Sequence, residues 1–285
     1  MIKESVEMTK GIIFGISGTI GKALHQALST RGSEIYGTYN NNHPGNIASD
    51  RVIHLPVDKV ELLGDLLGEI QPDFVIMALR GDFDKQLEFH VQVANYISDN
   101  GGRMVFCSTS NVFDAVTDAP HFEDDQPKAI SDYGQYKIEC ERILKDILGS
   151  QLTIVRIPAI YGHESPRIKT LREDLANDKA IQIFTNLYST TNTDKMLSKQ
   201  IAYLIKQQQA GIYHLATNDV MSHSEFTRKL VLNWGYSDVQ FEEREIETDS
   251  SSHIYDNSLL TRHEYPTDLQ LSHEQLIKFL ANSKK

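Results

Sequence analysis

A tyrosine and a lysine one helical turn apart are the residues of this sequence best suited to transfer a proton. Tyr133 and Lys137 lie in the stretch SDYGQYKIECERIL, whose helical character places both side chains on one helix face. Free tyrosine has a pKa of about 10, so acid–base work near neutrality needs roughly 4 kcal/mol of extra preference for the tyrosinate. A cation about 4 Å away supplies roughly that amount at an effective dielectric constant of about 20. Lys137 is predicted to be that cation.

Three glycines spaced three residues apart form the sequence GISGTIG, directly after the first apolar run. At a strand-to-helix turn, Gly15 permits the tight bend, Gly18 lets the backbone approach a pyrophosphate, and Gly21 lets the helix pack on the strand. The N–H groups and the dipole at the helix start favour bound phosphate. A glycine-rich turn also occurs for packing alone, but its place at the first turn favours a dinucleotide site. The predicted contacts along this loop are Gly15, Ser17, Gly18, Thr19, Ile20 and Gly21.

The end of the second predicted strand indicates which dinucleotide binds. NAD sites usually carry an acidic residue there, about 20 residues past the glycines, to bind the ribose hydroxyls. This sequence has TYNNNH at 38–43, with neutral donors and no carboxylate. Tyr39 and Asn40 are the predicted contacts, NADP(H) is preferred, and NAD(H) stays possible. Asp58, after the third strand, could either contact adenine or cap the next helix.

Hydroxyl side chains end the fifth predicted strand, in the segment CSTSNVFDA. Doubly wound sheets bind ligands at the carboxyl ends of their strands, so Ser108, Thr109 or Ser110 could hydrogen-bond a substrate oxygen. Such residues also commonly end a strand and cap a turn. Their position between the glycine loop and the Tyr133–Lys137 pair favours the functional interpretation.

Short β-type runs alternate with longer helical segments through the first half of the chain. The runs fall at 11–16, 34–39, 51–57, 73–79, 103–108 and 152–157. This alternation predicts an α/β fold, a doubly wound parallel sheet of the Rossmann type.

Turn-rich segments interrupt the helical ones in the second half of the chain. We therefore expect a dinucleotide-binding Rossmann domain over 1–162 and a smaller, mainly substrate-binding C-terminal lobe over 163–285. A further apolar run at 211–216 is expected to return to the large sheet.

With these motifs in order, the sequence resembles the extended short-chain dehydrogenase/reductase family, and within it the dTDP-4-dehydrorhamnose reductase group of sugar-nucleotide reductases. The resemblance rests on GISGTIG, STSNVFDA, YGQYK and VRIPAIYG. It implies a catalytic trio in which Thr109 positions a carbonyl, Tyr133 donates the proton, and Lys137 also holds the nicotinamide ribose. It further implies cofactor contacts at Asp58, Ala78, Leu79, Arg80 and Pro158.

Some positions depart from the pattern of that group. Ser110 and Asn111 replace its usual Asp and Tyr, and Ala159 stands where those reductases often carry Trp, so the sugar is not specified. Leu79 and Arg80 replace small and aromatic residues, and the following helix is expected to be shortened before His90. The main hypothesis is an NADP(H)-dependent reductase of a keto group on a nucleotide-activated sugar. An NAD-dependent sugar-nucleotide epimerase and a non-catalytic cofactor-binding regulatory protein are the alternatives.

The composition of the chain argues against several other classes of protein. Lys and Arg number 28 against 39 Asp and Glu, a net charge of −11 that disfavours nucleic acid as a partner. No apolar stretch approaches the roughly 18 to 20 residues that span a bilayer, so neither membrane insertion nor secretion is expected and the cytoplasm is the predicted location. The 11 histidines show no metal-ligand spacing, and no metal is predicted.

Three further expectations concern a cysteine, an arginine and two amphipathic segments. Cys107 lies in an apolar run and is expected to be a buried, reduced thiol. Arg262 is expected to form a surface ion pair rather than to bind phosphate. The amphipathic segments 84–98 and 131–148 make a homodimer plausible, although packing within one chain explains the same pattern.

Overall fold

A parallel sheet of seven strands is the main element of the computed structural model, which describes residues 9–30, 32–45, 47–163, 165–247 and 253–282. The strands are β1 Thr9–Phe14, β2 Ser33–Tyr39, β3 Val52–His54, β4 Phe74–Met77, β5 Arg103–Cys107, β6 Leu152–Arg156, β7 Ala159–Ile160, β8 Ile181–Phe184, β9 Leu187–Ser189, β10 Thr191–Asn192, β11 Gly211–His214, β12 Met221–Ser222, β13 Phe241–Arg244 and β14 Ile254–Tyr255. The central sheet has the order β11-β6-β5-β4-β1-β2-β3.

The strand order confirms the predicted fold class. Strands β1 to β6 pair in parallel, and the order reverses between β1 and β4, as it does in doubly wound sheets. All four residues of β4 and all five of β6 are buried, because a parallel sheet is covered on both faces. These buried runs are among the apolar segments that the sequence presents as strands, and predicted and observed ends differ by at most three residues.

Helices connect the strands and continue into the second half of the chain. They are α1 Thr19–Leu28, α2 Leu63–Ile70, α3 Phe83–Asn100, α4 Asp132–Leu148, α5 Pro166–Ala176, α6 Asp194–Lys206, α7 His223–Asn233 and α8 His273–Ala281. Helix α3 begins at Phe83 and has 18 residues, and the expectation that it is shortened before His90 relative to the family pattern stays a prediction. Asp82 caps it by accepting a hydrogen bond from the Lys85 N–H at 3.2 Å, and Phe89, Val93 and Ile97 bury one face.

The chain divides into two compact units that interleave along the sequence. The first unit contains the chain up to Ser108, Tyr136–Val155 and Leu197–Ile212. The second contains Thr109–Gln135, Arg156–Met196 and the chain from Tyr213 onward. The predicted boundary at residue 162 separates a cofactor-binding domain from a substrate-binding lobe. Because it refers to which ligand each part binds, it stays a prediction.

The second unit has its own small core and short sheets. Strand β7 pairs with β10, β9 lies between β12 and β14, and β8 pairs with β13. Its helices α5, α7 and α8 bury apolar residues against one another. This cluster includes Ile168, Phe226, Leu230, Leu276 and Leu280. Among the described residues, no helix combines the length and hydropathy needed to cross a bilayer.

Close packing of α1 on the end of β1 depends on Gly21. A Cβ atom at Gly21 would lie 2.3 Å from the Gly15 carbonyl oxygen and 2.7 Å from the Ile16 Cα, both of which are backbone atoms. By contrast, a Cβ at Gly64 in α2 would meet no atom within 4 Å. We therefore expect Gly21→Ala to lower the free energy of unfolding by about 1–3 kcal/mol through overpacking.

Gly64→Ala is the matched control for this prediction. It removes the backbone freedom of an exposed helical glycine and should raise the free energy of unfolding by roughly 0.5–1 kcal/mol. Urea denaturation of both variants measures the two effects. Equal midpoints for Gly21→Ala and the parent chain would contradict the packing described for α1.

Candidate active site

The first turn of α4 places Tyr133 and fixes where the helix begins. The Ser131 hydroxyl accepts a hydrogen bond from the Gly134 N–H at 3.1 Å, so Ser131 acts as the N-cap of α4. The same hydroxyl donates to the carboxylate of Asp114, which also accepts a hydrogen bond from the Ile130 N–H at 2.7 Å. Tyr133, half-buried, follows two residues after the cap. As the sequence predicts, Tyr133 and Lys137 occupy successive turns of one helix.

The segment that follows β5 packs against this turn of α4. A Cβ at Gly134 would lie 2.3 Å from the carbonyl oxygen of Asn111, so only glycine permits this approach. Thr109, two residues before Asn111, is buried, with 7% of its surface exposed. Within the second unit, the segment that carries Thr109 therefore adjoins the helical turn that carries Tyr133.

Protein atoms already bond the three hydroxyl groups after β5. The Thr109 hydroxyl donates to Asn111 Oδ1 at 3.0 Å and accepts from the Asn111 N–H at 3.3 Å, so it caps the short turn Ser110–Phe113. Ser108 donates to Glu141 Oε1 at 2.5 Å, and Ser110 donates to the side chain of Asn257. The capping interpretation of Thr109 is thus observed, and a substrate oxygen would have to replace the Asn111 amide as its acceptor.

Lys137 lies in the interior of the first unit, with 2% of its surface exposed. Its Nζ donates a hydrogen bond to the Cys107 carbonyl oxygen at 2.9 Å and lies 4.5 Å from the ring centroid of Phe106. Burial is the main cause that lowers the pKa of Lys137, while the Glu141 carboxylate opposes this shift and Arg80 adds to it. The carbonyl and the aromatic face both favour the charged ammonium, which limits the cost of its burial.

His90 lies on α3 beside the same aromatic ring and is completely buried. Its ring packs edge-on against Phe106, with 5.2 Å between centroids. Neither ring nitrogen has a hydrogen-bond partner among the described residues. Burial, and then the charge of Lys137, hold the pKa of His90 well below its usual range. The imidazole is therefore neutral and carries two unsatisfied polar atoms.

The glycine loop has the geometry expected of a phosphate cradle. Gly15 has a φ of 95°, and a Cβ there would lie 2.5 Å from the Ala78 carbonyl oxygen, so the turn requires glycine. Gly18 has an ordinary φ of −72°, and a Cβ there would lie 3.5 Å from the Gly15 carbonyl oxygen, an ordinary van der Waals contact. No side chain caps α1, and its first turn carries no acidic residue. These residues fit a pyrophosphate, because packing explains Gly15 but leaves the surface above Gly18 open.

The other predicted cofactor contacts surround the carboxyl end of the sheet or follow β6. In the first unit, Ala78 and Leu79 are half-buried, Arg80 is exposed, and Tyr39 and Asn40 end β2 and begin the next loop. Asp58 is exposed, and the turn that follows it, Val60–Leu62, begins without a side-chain cap, so its capping alternative is not observed. In the second unit, Pro158 is buried just after β6. Whether these residues touch a cofactor stays a prediction.

Sequence reasoning missed the residues that hold the predicted trio in place. Ser131, Gly134, Glu141, His90 and Asn257 carry no motif of their own, and Asn257 is 147 residues from its partner Ser110. Of these residues, only Ser131 could have been identified from the sequence, because a serine before a helical pattern is a favoured N-cap.

The smaller expectations can be compared with the structure directly. Cys107 is a free, buried cysteine, as predicted, and burial raises the pKa of its thiol to about 12. Arg262 forms an exposed ion pair with Asp124 at 3.1 Å, which confirms the predicted surface role. No group of three or more His, Cys, Asp or Glu residues within the described ranges is arranged to hold a metal ion.

The strand order and the glycine turn define a doubly wound α/β protein of the nucleotide-binding class. The family model described as RmlD substrate binding domain matches residues 9–253, and the chain belongs to this family. Membership confirms the predicted resemblance to the extended short-chain dehydrogenase/reductases, a class of oxidoreductases.

Individual relatives are distant but cover most of the chain. The probable low-salt glycan biosynthesis reductase Agl14 of Haloferax volcanii is 24% identical over 238 residues, 76% of this chain and 78% of that protein. Methionine adenosyltransferase 2 subunit beta of Danio rerio is 23% identical over 237 residues, 76% of this chain and 71% of that protein.

Solved structures show the same fold. The dTDP-4-dehydrorhamnose reductase of Bacillus anthracis, solved in complex with NADP, has a TM-score of 0.74 at 20% identity and covers 96% of this chain and 98% of its own. The enzyme WbmH of Bordetella bronchiseptica, solved with NAD+, has a TM-score of 0.72 at 20% identity and covers 84% of this chain and 87% of its own.

Replacing His90 tests whether its buried nitrogens are unsatisfied. We expect His90→Phe to leave the free energy of unfolding unchanged or raise it by about 1 kcal/mol, because a ring of similar shape removes two unpaired polar atoms. The effect of pH has a defined sign. The unfolded imidazole takes up a proton below about pH 6.5 and the folded one does not, so stability falls as the pH falls and His90→Phe should weaken that fall.

His214 provides the control, because it is buried but bonded. Its Nδ1 lies 2.9 Å from the Leu260 carbonyl oxygen, and burial lowers its pKa to about 4. His214→Phe should therefore destabilise the protein by about 1–3 kcal/mol near neutral pH, since it strands that carbonyl. Urea titrations at neutral and acidic pH measure both variants. A loss of stability as large for His90→Phe as for His214→Phe would contradict the account of His90.

Proposed function

We propose that the protein is an NADP(H)-dependent reductase of a keto group on a nucleotide-activated sugar. The observation that carries this proposal is the buried ammonium of Lys137, one helical turn from Tyr133 and bonded to the Cys107 carbonyl oxygen at 2.9 Å. A buried cation costs free energy unless it is paired, so its position one helical turn from a tyrosine favours a chemical role. Family membership and the reductases among the relatives support the same activity.

The proposed proton transfer uses residues of this chain in defined roles. Tyr133 donates its phenolic proton to the carbonyl oxygen as that oxygen gains negative charge. Lys137 stabilises the tyrosinate that remains, and at about 4 Å this effect is worth roughly 4 kcal/mol at an effective dielectric constant of about 20. Thr109 exchanges its bond to Asn111 for one to the substrate oxygen. The reduced nicotinamide, when bound, supplies the hydride for the carbonyl carbon.

The cofactor is proposed to lie along the glycine loop and the carboxyl end of the sheet. The uncapped start of α1 and the open surface above Gly18 suit a pyrophosphate. No carboxylate follows β2 to repel a 2′-phosphate, which favours NADP(H) over NAD(H). The complex of the Bacillus anthracis reductase with NADP agrees with this preference. The further proposed contacts are Ser17, Thr19, Ile20, Tyr39, Asn40, Asp58, Ala78, Leu79, Arg80 and Pro158.

The sugar is proposed to enter a polar cleft of the second unit. The cleft is lined by Ser110 and Asn111, which follow Thr109 in the chain, and by Tyr255, Asp256 and Asn257. Hydroxyl, amide and carboxylate groups of this kind bind sugar hydroxyls through directed hydrogen bonds. Because Ser110 is bonded to Asn257, the loop that contains Asn257 helps to set the specificity of the cleft. The cytoplasm, where such nucleotides are made, is the proposed location.

A regulatory protein without catalytic activity is the second candidate. It is favoured by the similarity to methionine adenosyltransferase 2 subunit beta, a subunit of a larger enzyme in Danio rerio. A regulator of this fold would bind the dinucleotide and leave it unconsumed. Oxidation of NADPH in the presence of a panel of keto-sugar nucleotides distinguishes the two candidates, and no oxidation with any of them would favour the regulator.

Tyr133→Phe tests the proposed acid. We expect turnover to fall roughly 100-fold to 10,000-fold with NADP+ affinity retained, because the phenol acts in the transition state and not in cofactor binding. The measurement is the rate of NADPH oxidation with the best substrate of the panel, together with NADP+ binding by calorimetry.

Tyr96→Phe is the control, since the Tyr96 hydroxyl on α3 donates to the Leu67 carbonyl oxygen at 2.9 Å and has no proposed part in the reaction. Its turnover should match that of the parent chain. Unchanged turnover in Tyr133→Phe would refute the assignment of the proton donor.

A further inference from the structure

Tyr39, at the carboxyl end of β2, lies between two imidazole rings. His43 follows it by four residues, and the two ring centroids are 5.0 Å apart at an angle of 76°. His54 ends β3 and pairs with Tyr39 in the sheet register, with 5.3 Å between the ring centroids. One histidine comes from the loop and one from the neighbouring strand, so the fold brings them to a common aromatic side chain.

Both imidazoles are exposed. Among the described residues, neither ring takes part in an ion pair or a side-chain hydrogen bond with the protein. The aromatic contacts with Tyr39 hold the two exposed rings at this end of the sheet. Each ring can therefore form a hydrogen bond with a ligand that binds there.

The charged residues that flank β3 form no ion pair with either histidine among the described residues. Asp50 and Arg51 precede β3 in the turn Ser49–Arg51, and Arg51 is near enough to His25 on α1 for its charge to lower the pKa of that histidine. Asp58 and Lys59 follow β3, and Lys59 pairs with Glu61 at 3.8 Å. Tyr39 is the titratable group in direct contact with both rings.

The chemistry of this cluster matches a phosphate monoester. A protonated imidazole carries a positive charge and two N–H donors, and charge-assisted hydrogen bonds to phosphate are among the stronger ones in proteins. In a doubly wound sheet, the group that follows the second strand faces the adenosine ribose of a dinucleotide. NADP and NAD differ at that ribose by one phosphate group, so a pair of imidazoles there would discriminate between them.

We propose that His43 and His54 form the site that selects NADP over NAD, by binding the 2′-phosphate of the adenosine ribose. This inference rests on the proposed function to the extent that the chain binds a dinucleotide. Each imidazole would donate an N–H hydrogen bond to a phosphate oxygen that NAD lacks, so the affinity for NADP depends on the two rings while the affinity for NAD does not.

Calorimetric titration of the purified chain with NADP+ and with NAD+ tests the proposal. One charge-assisted bond is worth about tenfold in affinity, so NADP+ should bind at least about tenfold more tightly than NAD+. His43→Asn and His54→Asn should each weaken NADP+ binding by about tenfold, and the double variant by more. Binding of NAD+ should be unchanged in all three variants.

His253→Asn is the matched control. His253 is an exposed histidine in the second unit that packs on Tyr188 with 5.1 Å between ring centroids, the same type of contact as at Tyr39. It should leave the binding of both dinucleotides unchanged.

Three results would overturn the proposal. Equal affinities for NADP+ and NAD+ would remove the phosphate selectivity while leaving dinucleotide binding intact. Equal loss of NADP+ and NAD+ binding in the histidine variants would show that the two residues only support the loop. Binding of neither dinucleotide by the parent chain would reject the proposed function as well. Selective loss of NADP+ binding in the histidine variants supports the proposal whatever the turnover of Tyr133→Phe.

Discussion

The burial of one ammonium group is the constraint on which the proposed chemistry depends. Lys137 has 2% of its surface exposed, and its Nζ is held by the Cys107 carbonyl oxygen and the face of Phe106. A buried charge costs free energy. The carbonyl oxygen of Cys107, at the end of β5, limits that cost by accepting a hydrogen bond from Lys137 on α4. The same low-dielectric surroundings strengthen the effect of the cation on a neighbouring phenol. The two residues are covalently linked through one helix, so their separation is set by helix geometry.

The first turn of α4 is fixed by residues that belong to no motif. Ser131 caps the helix, Asp114 holds Ser131, and Gly134 permits the close approach of Asn111. These contacts hold the first turn of α4 against the segment that carries Thr109. A shift of this turn would move the phenol relative to both of its proposed partners, and misplacements of about 1 Å are enough to slow an enzyme about 100-fold. A side-chain cap and a close backbone approach thus fix the turn together, as expected where a constellation must be held rigidly.

Much of this architecture could be predicted from local patterns. Strands β4 and β6 could be read as apolar runs because strands buried on both faces carry few polar residues. The glycine loop and the Tyr133–Lys137 pair could be read because each has a fixed spacing along a local element. Most of α3 could also be read, as the amphipathic segment 84–98, while its start depends on the Asp82 cap. Partners distant in sequence, such as Ser110 with Asn257 or Tyr39 with His54, follow from tertiary structure and left no local signal.

The most direct measurement of the central claim is a crystal structure of the protein with NADP+ bound. The account predicts that the Tyr133 Oη and the Lys137 Nζ lie within about 4 Å of each other and adjoin the nicotinamide ring and its ribose. A structure in which the two side chains point to different sides of α4, or in which the nicotinamide lies away from both, would contradict it.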